Sequence, residues 1–271
     1  MKNIQGLLEL SESQKRQYID AESVFEELRR ARRAASLTRG GMIWREIAGR
    51  RYLIRTSPKG AHKSFGPDSN ETQTIFKDFT ERKASNTARL VSIEAAADEQ
   101  RRLNRALRVG RVPPAVVQVL GALDAEGLAG YAVVAGAHAL CAYESACGVR
   151  LGVEQVASPS IELAFASREH RATFSRLAKP GWKGKTTVDP GLTALPRFEQ
   201  LVVATNGAMA LMSTIPPMEF VKLKRAHSVD PSRDPAERAK DLLYAELVET
   251  LVHSHMPHMS HRASSRANDL K

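Results

Sequence analysis

Residues 131–148 of the chain read YAVVAGAHALCAYESACG, and this stretch decides the fold. An apolar run at residues 132–134 stops at Gly136, and mostly small residues follow up to Gly148. A short apolar run that ends in glycine predicts a buried strand, and the run after it predicts a helix that begins at about Ala137. A glycine between a strand and a helix usually marks a closely packed turn. The stretch therefore predicts a strand, a turn at Gly136 and a helix.

The two cysteines, Cys141 and Cys147, both fall in this predicted helix. Six residues of α-helix rotate by about 600°, so the two thiols point to different sides. We therefore predict two small buried residues in a reducing compartment, without a disulfide between them.

The sequence on both sides of this stretch alternates between helix, strand and turn patterns. The pair Asn206-Gly207 stands between two apolar runs, which is a strong hairpin signal. The other predicted elements are a helix at 114–126, a strand at 160–166, a Gly- and Pro-rich loop at 179–191, and helices at 217–227 and 234–254. This order predicts an α+β fold with a small mixed sheet flanked by helices.

The first 112 residues predict helices and one hairpin. The expected elements are a helix at 18–36, a hairpin that turns at residues 48–50, a loop at 62–70, and a long helix from about 70 to 107 with a break allowed at Ser85-Asn86. We therefore predict three parts: a helical and β-hairpin module at 1–112, a core at 113–216, and C-terminal helices with a polar tail at 217–271.

Positive charge is concentrated at the start of the chain. The net charge is +10, and residues 1–112 hold 23 Lys and Arg against 14 Asp and Glu. Such a segment is typical of an arm that binds nucleic acid, and a solvated helical face explains the charge equally well. The sequence has no apolar run long enough for a membrane span and no secretory signal at its start, so we expect a cytoplasmic protein with no membrane partner.

Several segments together resemble a bacterial family of nucleotidyltransferase-fold proteins in the DNA polymerase beta-like superfamily. The residues that carry the resemblance are GGMIWREIAGRRYLIRT at 40–56, LNRALRVGRVP at 103–113, VVAGAHALCAYESACGVRL at 133–151, and the stretch from 196 to 241. The resemblance implies a nucleotidyltransferase-like sheet and a nucleoside triphosphate substrate. It further implies that the phosphates bind at the start of the helix after Gly136, through Gly136, Ala137 and His138.

The resemblance also implies a metal site, and here the sequence departs from the family. In the family a strand carries Asp-x-Asp, whose two carboxylates hold Mg²⁺. The matching positions are Ser160, Ile161 and Glu162, so Glu162 is the expected metal ligand and catalytic acid, and Ser160 replaces the other acid. A neutral hydroxyl is a weak ligand for Mg²⁺. For a third acid the sequence offers only Asp189 and Glu199.

Other candidate residues have structural interpretations beside functional ones. His138 is either a base that faces a phosphate or a packed core residue, and Glu162 is either a ligand or a surface glutamate. Tyr143 and Glu144 either orient their helix or touch a ligand. Lys224, Arg233 and Asp234 are interpreted as a cap and salt bridges, with Asp234 as the N-cap before Pro235. His253, His255, His258 and His261 form a tail that resembles a metal-binding tract only in composition.

Two functions follow from these residues. The first is transfer of a nucleotidyl group from a nucleoside triphosphate to a hydroxyl on nucleic acid or protein, dependent on Mg²⁺ and weak or lost because of Ser160. The alternative is an inactive relative of such enzymes that binds nucleic acid or a partner protein through residues 1–112. The sequence does not predict an oligomeric state.

Overall fold

The structure, a computed structural model, describes residues 7–57, 60–152, 160–178 and 182–260. Its backbone contacts divide the chain into two compact units. The core unit consists of residues 1–18 and 103–271, and the N-terminal unit consists of residues 19–102. This division falls at residues 18 and 102 and not at the predicted 112 and 216. The three-part organisation at 1–112, 113–216 and 217–271 stays a prediction.

The core unit is built on a five-stranded mixed sheet. Its strands are β5 (Ala132–Val134), β7 (Ile161–Phe165), β8 (Gly184–Val188), β9 (Phe198–Val203) and β10 (Met209–Thr214), in the order β8-β7-β5-β10-β9. β5 pairs with β7 in antiparallel and with β10 in parallel orientation, and β7 pairs with β8 in parallel orientation. The predicted α+β class with a small mixed sheet is confirmed.

Helices surround this sheet. They are α3 (Pro114–Ala125), a short 3₁₀ helix (Ala129–Tyr131), α4 (Ala139–Cys147), α5 (Arg168–Leu177), α6 (Pro190–Ala194), α7 (Pro217–Val229), α8 (Pro235–His255) and α9 (Pro257–Ser260). Strands β1 (Leu7–Glu9) and β6 (Val149–Leu151) form a separate antiparallel pair. The hydrophobic core draws on the sheet and on α3, α4, α7 and α8, and it includes Val116, Leu140, Leu163, Phe220 and Val248.

The N-terminal unit combines two long helices with a three-stranded sheet. Helix α1 spans Glu12–Leu37 and α2 spans Asn70–Ala106, so each helix begins or ends in the core unit. The sheet has the order β2 (Gly41–Ile47), β3 (Arg50–Thr56) and β4 (His62–Pro67). One face of the sheet packs Met42 and Leu53 against Phe79 of α2.

Most predicted elements are confirmed, and five details are corrected. Helix α2 continues through Ser85-Asn86, α1 begins at Glu12 rather than at residue 18, and α4 begins at Ala139, two residues later than expected. The predicted loop at 62–70 contains β4, because pairing with β3 outweighs the turn signals of Gly66 and Pro67. The predicted loop at 179–191 contains β8, because its backbone pairs with β7; residues 179–181 lie outside the described residues.

The remaining elements agree with their predictions. The hairpin of β9 and β10 turns at residues 204–208, where Gly207 has a φ of 82° that favours glycine. Cys141 and Cys147 are free thiols, the first buried and the second half-buried. In the described ranges, no helix combines the length and the apolar character that crossing a lipid bilayer requires.

Candidate functional site

The turn at Gly136 and the strand that carries Glu162 lie side by side in the sheet of the core unit. The Ala135 N–H donates to the Glu162 carbonyl at 3.1 Å, and Val134 pairs with Leu163. A Cβ atom at Gly136 would stand 2.9 Å from the Glu162 carboxylate. A side chain at this position would therefore force the Glu162 side chain to move. The structure thus brings together two of the residues that the sequence singled out.

Glu162 borders a cavity of about 730 Å³ in the core unit, and so do Ala135 and Ala137, the neighbours of Gly136 in the chain. Such a volume suits a ligand of nucleotide size. The sheet side of the cavity is lined by residues from β7, β8 and the turn after β5: Ala135, Ala137, His138, Ser160, Glu162, Lys185 and Asp189. The helical side is lined by residues of α7, α8 and the loop between them: Leu223, Lys224, His227, Arg233, Asp234, Glu237, Lys240, Asp241 and Tyr244.

The turn before α4 offers few of the backbone N–H groups that the sequence suggested. The N–H groups of Ala139, Leu140 and Cys141 donate to the carbonyls of residues 136–138 at 3.0–3.1 Å. By contrast, the N–H groups of Gly136 and Ala137 donate to no acceptor among the described residues. A phosphate at this turn would therefore meet the N–H groups of Gly136 and Ala137 rather than the first turn of the helix.

His138 is buried and occupies the N-cap position of α4. His138 lines the cavity, and it also interacts with another group of the protein. The packed-residue interpretation and the ligand interpretation both agree with this position.

Ser160 and Glu162 project to the same side of β7, as two residues apart on a strand must. Ser160 is exposed and Glu162 is half-buried. On the neighbouring strand, Lys185 stands directly beside Glu162 in parallel register. The cavity-lining residue at that register position is therefore a cation.

The two candidates for a third acid differ in position. Asp189 lies at the cavity, but its Oδ1 accepts the Leu192 N–H at 2.8 Å and caps α6. Glu199 lies on β9, at the other edge of the sheet, opposite Ser213. The sequence offered Asp189 and Glu199 alike and had no means of separating them, and a third acid at the site stays a prediction.

These donors do not fit a magnesium site. Mg²⁺ demands several oxygen ligands in octahedral geometry, usually with carboxylates among them. Among the described residues, no group of three or more His, Cys, Asp or Glu side chains is arranged to hold a metal ion. The strand position beside Glu162 holds Lys185, whose positive charge would repel a metal ion. The histidine tail, of which His261 lies outside the described residues, likewise forms no such group with its described members.

The helical side of the cavity holds a buried ionic cluster. Lys224 Nζ donates to Asp241 Oδ1 at 2.8 Å, and Arg233 Nη2 lies 3.0 Å from Asp241 Oδ2. The side chains of Lys224 and Asp241 are 6% and 4% exposed, and Lys224 also lies over the rings of Phe220 and Tyr244. Two cations share one carboxylate, so the cluster carries one positive charge in excess.

This cluster confirms the salt bridging predicted for Lys224 and Arg233, and it adds Asp241, which the sequence did not single out. Asp234 accepts the Ala236 N–H at 2.8 Å and caps α8, as predicted. Asp241 follows Asp234 by seven residues, which is two helical turns, so it lies on the same face of α8. That spacing is the signal by which it could have been found.

Two side chains that line the cavity, Tyr244 and His227, have shifted pKa values. Burial, with Glu237, Asp241 and Glu162 nearby, raises the pKa of Tyr244 to about 12. Burial and the adjacent Arg233 and Lys224 lower the pKa of His227. Tyr244 is therefore a neutral hydroxyl at physiological pH, and His227 favours its neutral form.

Tyr143 and Glu144 of α4 have partners within the protein. The Tyr143 hydroxyl donates to the Ile215 carbonyl at 2.7 Å, and its side chain is fully buried. Glu144 accepts the Leu151 N–H at 2.7 Å and lies 3.3 Å from Arg111 Nε. Both residues fix the position of α4 and hence of the turn that precedes it.

Comparison with known proteins gives one match. A family model described as Nucleotidyltransferase matches residues 190–269. Neither the curated proteins nor the solved structures gave a match. The matched region covers less than a third of the chain. It contains α7 and α8 with Lys224, Arg233 and Asp241, and it does not reach Gly136 or Glu162. The part of the chain that forms the helical side of the cavity is therefore similar to nucleotidyltransferases.

Proposed function

We propose that the cavity of the core unit binds a nucleoside triphosphate, and that the chain transfers the nucleotidyl group to a hydroxyl acceptor only weakly. The observation that carries the proposal is that Glu162, which contacts the Gly136 turn, lies at one wall of a cavity whose other wall matches the nucleotidyltransferase model. The acceptor is a hydroxyl on nucleic acid or protein: its oxygen bonds to the α-phosphorus, and the β- and γ-phosphates leave as pyrophosphate.

The phosphates have two groups of contacts in this proposal. The N–H groups of Gly136 and Ala137 would donate to them from the turn, and Lys224 with Arg233 would supply positive charge from the helical side. Hydrogen bonds from charged donors to phosphate oxygens are about twice as strong as neutral ones. Glu162 would act on the acceptor hydroxyl as a base or orient it, since its half-buried carboxylate is the acid nearest the turn.

Weak transfer follows from the donor set. In transferases of this kind carboxylates hold metal ions that stabilise the charge on the transferred group. Here the positions next to Glu162 hold Ser160 and Lys185 instead of carboxylates. The side chains present therefore do not fit Mg²⁺. The loss of one preorganised electrostatic partner lowers rates by about 10²–10³ in well-studied enzymes.

The test measures binding and transfer separately. Each labelled nucleoside triphosphate is incubated with the protein, with Mg²⁺, Mn²⁺ or EDTA, and with a pool of RNA and protein acceptors. We expect nucleotide binding in equilibrium dialysis, and slow label transfer that Glu162→Gln abolishes while binding is retained. Binding that is absent with every nucleotide would overturn the proposal, and transfer that survives Glu162→Gln would remove Glu162 from it.

A second variant tests the reason for the weak transfer. Ser160→Asp/Glu162→Asp places two carboxylates at the start of β7, and Ser160→Asn/Glu162→Asn has the same side-chain sizes without charge. We expect at least a tenfold gain in transfer with Mg²⁺ for the first variant and none for the second. Equal behaviour of the two variants would show that the carboxylates do not limit the reaction.

The alternative is a protein without transferase activity that binds nucleic acid through the N-terminal region. The absence of a metal-holding cluster among the described residues favours it. Nucleotide binding without any transfer, together with salt-sensitive binding of RNA or DNA, would support this alternative.

A further inference from the structure

One face of the sheet in the N-terminal unit is exposed along most of β2 and the start of β3, and it carries two arginines that pair with no acid among the described residues. Met42 and Leu53 point to the face that packs against α2. Because side chains alternate along a strand, their neighbours point to the opposite face. This opposite face consists of Ile43, Arg45 and Ile47 of β2 and Arg50, Tyr52 and Ile54 of β3, and Ile54 is buried. We call the other five residues the basic face.

The register places these five side chains next to one another. Arg45 is directly opposite Tyr52, and Ile47 is directly opposite Arg50. Ile43 and Ile47 are 42% and 49% exposed, Arg45 and Arg50 are exposed, and Tyr52 is half-buried. The face thus presents an aromatic ring with a guanidinium group beside it and aliphatic surface around both.

The charge of the basic face differs from that of the helices in the same unit. On the helices, Arg30 pairs with Glu26 and Glu27, Arg89 pairs with Glu27, and Arg32 lies 3.8 Å from Glu94. In the described part of the chain, neither Arg45 nor Arg50 pairs with an acid, and no strand residue that points to the basic face is acidic. The N-terminal unit has 17 Lys and Arg against 12 Asp and Glu. The basic face thus carries two arginines without an acidic partner among the described residues, whereas these helix arginines are paired with glutamates.

We propose that the basic face binds single-stranded nucleic acid. The guanidinium groups of Arg45 and Arg50 would contact phosphates, which they match in geometry. The ring of Tyr52 would stack with a base, and Ile43 and Ile47 would cover the apolar edges of neighbouring bases. A single strand fits better than a duplex because only unpaired bases expose their faces for stacking. This binding does not depend on the proposed nucleotide site, since the two lie in different units.

The experiment uses fluorescence anisotropy with the full chain and labelled 20-nucleotide probes. The probes are oligo(dT), oligo(U) and a duplex of the same length, at several salt concentrations. We expect the single strands to bind more tightly than the duplex, and the comparison of oligo(dT) with oligo(U) decides between DNA and RNA. Tighter binding of the duplex would overturn the proposal, as would binding that excess polyglutamate displaces as well as unlabelled oligonucleotide does.

Matched variants locate the surface. Arg45→Gln/Arg50→Gln removes two charges from the basic face, and Arg33→Gln/Lys77→Gln removes two charges from α1 and α2. We expect the first variant to lose at least tenfold in affinity and its salt slope to fall by roughly 1.4, because each phosphate contact on a single strand contributes about 0.7. We expect less than a twofold loss for the second variant. Equal losses in the two variants would overturn the proposal.

Tyr52→Leu tests the stacking contact. It keeps an apolar side chain on β3 and removes the ring, so we expect about a five- to tenfold loss of affinity without a change in the salt slope. Circular dichroism melts of each variant check that the fold is retained. Unchanged affinity of Tyr52→Leu would show that bases do not stack there, and the single-strand proposal would fall.

Discussion

At the scale of single residues, Gly136 is the residue at which the turn after β5 contacts the Glu162 side chain. Its backbone lies against the Glu162 side chain, with 2.9 Å between the site of a Cβ and the carboxylate. Gly136 does not have a positive φ, so space and not conformation demands glycine here. A methyl group would force Glu162 away from the turn, since packed interiors do not absorb added volume easily.

We expect Gly136→Ala to destabilise the core unit by about 1–3 kcal/mol, which is typical of overpacking. It should also weaken nucleotide binding, because the displaced Glu162 alters the cavity wall. Urea unfolding and equilibrium dialysis measure the two effects. Gly130→Ala is the matched control, because a Cβ at Gly130 meets nothing within 4 Å. Equal stability of the two variants would contradict the close contact.

Sequence reasoning about single residues had a clear limit. The prediction that Glu162 follows Ser160 on one side of a strand needs only the alternation of side chains. That Lys185 stands beside Glu162 depends on the pairing of β7 with β8, which are separated by helix α5. Because β8 lies in a stretch with loop composition, no local pattern indicated this neighbour.

At the scale of elements, helix α4 is held by a buried glutamate. Glu144 accepts the Leu151 N–H and lies beside Arg111, and its side chain is 5% exposed. Burial raises the pKa of Glu144 to about 7, against the opposite effects of Arg111 and of the Leu151 N–H. Its ordinary value is 4.5, so the folded protein binds this proton more tightly than the unfolded chain does.

The sign of the pH dependence follows from this shift. The stabilisation from the protonated Glu144 is complete below pH 4.5 and is lost as the pH rises to about 7. We expect the wild-type free energy of unfolding, relative to that of Glu144→Gln, to fall by up to about 3 kcal/mol across this range. Urea unfolding of both proteins at several pH values measures the difference. A constant difference would show that Glu144 stays ionised beside Arg111.

Local patterns predicted elements well where their own residues decide the structure. The hairpin of β9 and β10 needs a left-handed glycine at Gly207, and Asn206-Gly207 signals it. Helix α8 begins where Asp234 and Pro235 predict it. Strands β4 and β8 were missed because Gly66, Pro67 and the glycines near β8 read as breakers, while hydrogen bonds to a neighbouring strand stabilise both. Helix α5 was also missed, although Ser167 caps it.

At the scale of the whole molecule, the chain has two compact units, and the proposed ligands belong to different ones. A nucleotide that binds the folded core unit stabilises it by mass action, by about 2.7 kcal/mol at a hundredfold excess over the dissociation constant. Since about 1 kcal/mol corresponds to 2–4 °C in a unit of this size, we expect the melting temperature of the core unit to rise by about 5–10 °C.

Differential scanning calorimetry with each nucleoside triphosphate measures this rise. The variant Arg45→Gln/Arg50→Gln should show the same rise as the wild type, because its changes lie in the N-terminal unit. If no nucleotide raises any transition, the cavity does not bind a nucleoside triphosphate with useful affinity.

The sequence by itself determined the class of fold, most helices, the turns of the β2–β3 and β9–β10 hairpins, and the turn at Gly136. These follow from local spacing, glycine chemistry and hydrophobic periodicity, which act over a few residues, whereas Glu162 was singled out by the resemblance to a family. Only the tertiary structure decided that Lys185 stands beside Glu162 and that Asp241 joins Lys224 and Arg233. Strand pairing across helix α5 and packing of α7 against α8 bring these side chains together, and no local pattern states which partner each one meets.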